Sequence, residues 1–116
     1  MESAVAEYQK LQASFDKAVE ARQALDSQLR ENQQVQKEFA SLSPNNQIYK
    51  LIGPVLVKQD QPEAKSNVDK RIDFIQREIE RVESQLKDLS EKSEKKKIEI
   101  MTLQTKSQQP STATAA

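Results

Sequence analysis

Ile48-Tyr49-Lys50-Leu51-Ile52-Gly53-Pro54-Val55-Leu56-Val57-Lys58 is the stretch on which the fold turns. It gathers β-branched residues, Leu and Tyr around the one glycine of the chain. That pattern predicts a β-hairpin over 47–59. Gly53 can supply a positive φ at the first turn position, and Pro54 suits the second position of a type II′ turn. Side chains alternate along a strand, so Ile48 and Ile52 point one way, Tyr49 and Leu51 the other. Val55 and Val57 likewise oppose Leu56. A plain loop crossing between two helices is the competing reading. An isolated two-stranded hairpin is marginal in water. This one is apolar on both faces and has two open edges. The chain offers no other strand candidate to cover it. Ile48, Tyr49, Leu51, Ile52, Val55, Leu56 and Val57 are therefore expected to be covered by other chains, in a barrel or a sheet shared between subunits.

On either side the period changes from two to that of a helix. Before the hairpin a heptad frame runs through Tyr8, Leu11, Phe15, Ala18, Arg22, Leu25, Leu29, Asn32, Gln36 and Phe39, which predicts a helix over 4–42. Arg22, Asn32 and Gln36 are polar seam positions. They are either partly solvated flanks of the core or residues that fix the register. After the hairpin the frame is stricter: Val68, Ile72, Ile75, Ile79, Val82, Leu86, Leu89, Ser93, Lys96, Ile100 and Leu103. It predicts a helix over 61–106, with Asp60 as its cap and Pro62 in its first turn. At about 1.5 Å per residue the helices would measure roughly 58 and 69 Å. Each carries a narrow apolar stripe that must be buried on another helix. The simplest partner is the other helix of the same chain, antiparallel, with paired residue numbers adding to about 103. Residues 107–116 read as a disordered tail. The expected class is mainly α: two long helices in an antiparallel coiled-coil hairpin, joined by a β-hairpin that pairs with other subunits.

Composition excludes much chemistry. Among 116 residues there is no Cys and no His, and basic and acidic residues balance at 18 each. Without Cys there is no disulfide, thiolate nucleophile or zinc thiolate site. Without His the commonest general base and metal ligand are missing. There is no Gly-rich phosphate loop. No enzyme activity, cofactor or metal is expected. No apolar run approaches the roughly 20 residues of a membrane span, and the start Met1-Glu2-Ser3-Ala4 lacks the look of a signal peptide. A cytoplasmic location is the default expectation. The region 1–42 has five basic and seven acidic residues, and 61–109 has eleven and ten. Neither carries the positive charge that phosphate binding needs, so no nucleic acid is expected. The one basic cluster, Lys92, Lys95, Lys96 and Lys97, is interleaved with Glu91, Glu94 and Glu99.

Helix, hairpin, helix is the plan of the prefoldin subunits, and the single hairpin is that of the β type. The stretch Ile48–Val57 resembles the β-type hairpin signature, and Glu63-Ala64-Lys65-Ser66-Asn67-Val68-Asp69-Lys70-Arg71-Ile72-Asp73-Phe74-Ile75 resembles the start of its second helix. Tyr8-Gln9-Lys10-Leu11-Gln12 and Leu29-Arg30-Glu31-Asn32 are similar to parts of its first helix. The resemblance covers about residues 8–85 and makes 1–106 one prefoldin β-type domain. It implies a hexamer of two α-type and four β-type subunits, held by a double β-barrel of hairpins. It implies an ATP-independent co-chaperone that holds non-native actin and tubulin at coiled-coil tips and delivers them to the cytosolic group II chaperonin. The alternative is a coiled-coil scaffold or tether without client binding, which would need only a short turn where the hairpin stands.

The antiparallel register also singles out the helix ends. It puts Val5 near Ile98, Tyr8 near Lys95 and Lys96, and Leu11 near Lys92 and Ser93. Tyr8 and Leu11 there face polar residues and lack full apolar partners, and Met101 is adaptable enough to suit varied partners. With the tip contact implied by the resemblance, Val5, Tyr8, Ile98, Ile100, Met101 and Leu103 are the expected client surface. Closing a fraying coiled-coil end is the plainer role for the same residues.

Overall fold

The computed structural model describes residues 1–108. Its elements are α1 (Glu2–Ala40), β1 (Ile48–Ile52), β2 (Val55–Gln59) and α2 (Gln61–Gln108). The strands pair antiparallel, Ile48 opposite Gln59 through Ile52 opposite Val55. Only Gly53 and Pro54 lie between them. Gly53 has φ 59°, as the first position of a type II′ turn requires. A Cβ at Gly53 would meet no atom, so the backbone angle, not space, calls for glycine.

The structure shows two units. One is Gln23–Arg81, which includes the hairpin; the other combines Met1–Arg22 with α2 from Val82 onward. In the hairpin unit, Ala64, Val68, Ile72, Ile75 and Ile79 of α2 are buried, and Leu25, Leu29 and Phe39 of α1 are half-buried. Gln36 Nε2 donates to Asp69 Oδ1 at 2.9 Å, and Arg71 Nη1 to Asn32 Oδ1 at 3.5 Å. In the terminal unit, Ala4, Ala18 and Val82 are buried. Phe15, Leu86 and Leu89 are half-buried. Arg22 Nη2 lies 2.9 Å from Glu83 Oε1, and Lys96 Nζ pairs with Glu7. Within each unit the partner on α2 advances as the residue on α1 recedes, so the segments run antiparallel. The Glu7–Lys96 and Asn32–Arg71 pairs fall on the expected register, and the other two lie within half a turn of it.

All three polar seam residues of α1 thus reach across to α2. Each such surface contact is worth about 0.2–1 kcal/mol, so they add little to stability. Gln36 is exposed and Val35 beside it is half-buried. Near the loop the apolar stripe therefore runs through Val35, while the long Gln36 side chain stays on the rim. On α2 every frame position from Val68 to Leu103 is buried or half-buried.

The element bounds differ from expectation by about two residues. α1 runs over Glu2–Ala40, not 4–42. Met1 O accepts the first helical bond, from Val5 N at 3.0 Å, and Leu42 N turns to Phe39 O at 3.2 Å. The α1 end thus tightens into a shorter-range turn before Pro44. Asp60 O accepts from Ala64 N at 2.9 Å, which makes Asp60 the N-cap by its backbone. Gln61 Nε2 donates to Ser43 O at 2.8 Å and Asn46 O at 2.7 Å, fastening the α1–β1 loop to the start of α2. α2 continues to Gln108, because no breaker stands before Pro110. Residues 107 and 108, expected in the tail, are helical; the rest of that tail, 109–116, lies outside the described residues. No described helix is long and apolar enough to cross a membrane.

Candidate functional site

The hairpin side chains sort onto two faces by their register. Tyr49, Leu51 and Leu56 share one face; Ile48, Ile52, Val55 and Val57 share the other. Leu51 is 67% exposed and Leu56 64%. Tyr49, Ile52, Val55 and Val57 are also exposed, and Ile48 is half-buried. The hydroxyl of Tyr49 donates to Gln47 Oε1 at 2.6 Å, so its polar tip is satisfied within the hairpin while its ring stays open. Soluble surfaces rarely leave so contiguous an apolar patch uncovered.

The six predicted client residues divide into two groups. Ile100 and Leu103 lie on the seam stripe of α2 and are half-buried, as are Val5 and Tyr8 of α1. Ile98 and Met101 are exposed at 56% and 57%. They stand three residues apart, one above the other on a helix face off the seam. The outward pair and the seam residues are thus different kinds of surface.

Charge organises the same unit. Lys96 Nζ bonds Glu7 and, at 2.8 Å, Glu99 Oε2. Its hydrogen bond to Lys96 holds the Glu7 carboxyl below its ordinary range. The hydrogen bonds to Glu7 and Glu99 raise the Lys96 ammonium. Ser93, a seam position, is buried, and its Oγ has no hydrogen-bond partner.

Among the described residues, two large exposed hydrophobics fall outside both predicted sets: Phe74 at 58% and Met1 at 54%. Phe74 could have been found, since it sits beside the seam residue Ile75 and off the 4-3 frame. No group of acidic side chains among the described residues could hold a metal ion.

A family model described as prefoldin subunit matches residues 2–107. Prefoldin subunit 6 of Bos taurus is 44% identical over 115 residues, spanning 99% of this chain and 89% of the relative. Prefoldin subunit 6 of Saccharomyces cerevisiae is 44% identical over 98 residues, 84% of this chain and 86% of the relative. The crystal structure of the prefoldin beta subunit from Thermococcus strain KS-1 superposes with a TM-score of 0.81 at 22% identity, covering 88% of this chain and 90% of that one; it shows the shared fold. A matched family model over nearly the whole chain, relatives of such identity and a single hairpin between two long helices lead to one conclusion: the chain belongs to the prefoldin subunit family, in its β type.

Proposed function

We propose that the chain is one subunit of a heterohexameric, ATP-independent co-chaperone of the cytoplasm. Its hairpin joins those of two α-type and three other β-type subunits. The helix ends of the assembly hold non-native proteins, actin and tubulin among them, and pass them to the group II chaperonin. The observation that carries this reading is the open hairpin, where Leu51, Leu56, Val55 and Ile52 are each more than half exposed. Apolar surface removed from water stabilises by about 25 cal/mol per Å², so neighbouring hairpins that cover both faces gain strongly. A tether would gain nothing from such a hairpin.

The client half of the reading rests on the terminal unit. Ile98 and Met101 point away from the seam, so they add little to the stability of the helix pair. Val5, Tyr8, Ile100 and Leu103 are half-covered and can add contact area when a non-native chain arrives. The test is co-expression with partner subunits, followed by native mass and by suppression of aggregation of denatured actin. A complex about six times the subunit mass that suppresses aggregation without ATP supports the proposal. A homodimer, or a complex that leaves aggregation unchanged, contradicts it and favours the scaffold.

A further inference from the structure

α1 and α2 flank a shallow, open groove of about 460 Å³ in the terminal unit, with Leu11 and Ser14 on one side and Lys92 and Lys95 on the other. The sequence explains why it is open. The register set by the Glu7–Lys96 pair brings Leu11 opposite Lys92 and Ser93. Ser93 is small and buried, and its hydroxyl finds no partner. The next seam residue, Lys96, is drawn aside to Glu7 and Glu99. Two successive seam positions of α2 are therefore polar opposite Leu11, which is half-buried and lines the groove.

The rim is cationic. Both lining carboxylates, Glu7 and Glu99, are engaged by Lys96. Lys92 pairs with Asp88 at 3.0 Å. Lys10 and Lys95 line the groove and are exposed; Lys10 attracts the Glu7 carboxylate through space, and Lys95 makes no ion pair among the described residues.

We infer that this groove takes an acidic, leucine-bearing extended segment of a non-native polypeptide, its aliphatic side chain over Leu11 and its carboxylates at Lys10 and Lys95. The inference rests on the client-holding reading above and gives it a charge preference. Leu11, the one apolar residue of the lining, suits an aliphatic side chain and offers nothing to a sugar-phosphate backbone. Glu7 and Glu99 beside the lysines also oppose a continuous run of phosphates. A carboxylate spaced by aliphatic residues can instead meet single lysines one at a time.

The test uses the chain assembled with its partner subunits. Two short unstructured fluorescent peptides are titrated, one with Asp and Glu flanking its leucines, the other with Asn and Gln in their place. The wild-type complex should prefer the acidic peptide by about tenfold at low salt, less at high salt. The double variant Lys10→Glu, Lys95→Glu should bring that ratio to one or below. Lys10→Arg with Lys95→Arg should keep it, and circular dichroism should find both variants as helical as wild type. Equal affinities for the two peptides overturn the inference, as does a preference that charge reversal leaves unchanged. So does an oligonucleotide that displaces the acidic peptide as well as an acidic competitor does. Suppression of actin aggregation, measured in parallel, separates the two levels. A complex that holds actin yet shows no charge preference keeps the co-chaperone reading and loses this one. A complex that holds no denatured client loses both.

Discussion

The hairpin and the helix ends both leave apolar side chains in water, but for opposite reasons. In the hairpin every apolar residue is placed by a strand whose partner has run out: two strands pair with each other and stop, so both faces and both edges stay open. At the helix ends the partner is present and the sequence declines to use it. Ser93 and Lys96 occupy seam positions where Leu or Ile would close the pair, and Ile98 and Met101 stand where the seam does not reach. The first kind of exposure is complementary to copies of the same pattern, which suits permanent assembly. The second is loose and mixed with charge, which suits transient contact with varied chains.

That contrast breaks most sharply at the hairpin. Leu51→Asp with Val55→Asp puts charge onto both faces, where each would be buried unpaired on assembly. The variant should remain helical by circular dichroism yet be absent from the hexamer on size exclusion with its partner subunits. Normal assembly would remove the hairpin from the interface. A buried seam residue comes next. Ile75 is 3% exposed, so Ile75→Ala should lower stability by about 2–4 kcal/mol in urea unfolding of the chain. Its neighbour Phe74 is open to water, and Phe74→Ser should stay within about 0.5 kcal/mol in the same assay. Equal losses at 74 and 75 would mean the seam is misplaced.

Deleting 1–9 and 97–116 sharpens the other side. The hexamer should persist while suppression of actin aggregation falls several-fold. The smallest effect belongs to the Glu7–Lys96 pair. The carboxyl is held below its ordinary value of 4.5 and the ammonium above its ordinary value of 10.5. The pair's contribution is therefore fully present between those values. It is lost as pH falls through the lowered Glu7 value, and again as pH rises past the raised Lys96 value. Hydrogen exchange in the first turns of α1 should speed up at the acid end more in wild type than in Glu7→Gln, with global unfolding little moved. Identical acid profiles would remove the pair from the tip.

Much of this was legible in the sequence because two periods, two and three-and-a-half, do not resemble each other. The Gly53-Pro54 pair fixed the hairpin register by itself, since only one two-residue turn fits between Ile52 and Val55. The α2 frame from Val68 to Leu103 was readable because its spacing of four and three never slips, with Ser93 and Lys96 its polar members. The α1 frame was harder. Its polar members blur the stripe, and the choice between Val35 and Gln36 depends on which one reaches across to Asp69, a matter of side-chain length that periodicity does not carry. The end of α2 was misread because Ser107 and Gln108 are polar yet helical, held by turns that begin well inside the helix. The two frames together put Leu11 opposite the polar Lys92 and Ser93, but they do not yield the groove itself, which depends on where the lysine side chains go. It lies where Leu11 of one helix meets a lysine of the other that is drawn aside to Glu7 and Glu99.

The central claim is that the two exposed apolar surfaces do different work, and hydrogen exchange in three states tests it most directly: the isolated chain, the assembled complex, and the complex with denatured actin bound. The account predicts that amides of 48–59 become protected on assembly and do not change further with actin. Amides around Val5, Tyr8 and 98–103 should be protected only when actin is added. Hairpin amides that exchange as fast in the complex as in the isolated chain, or helix ends already protected before any client is present, would contradict it.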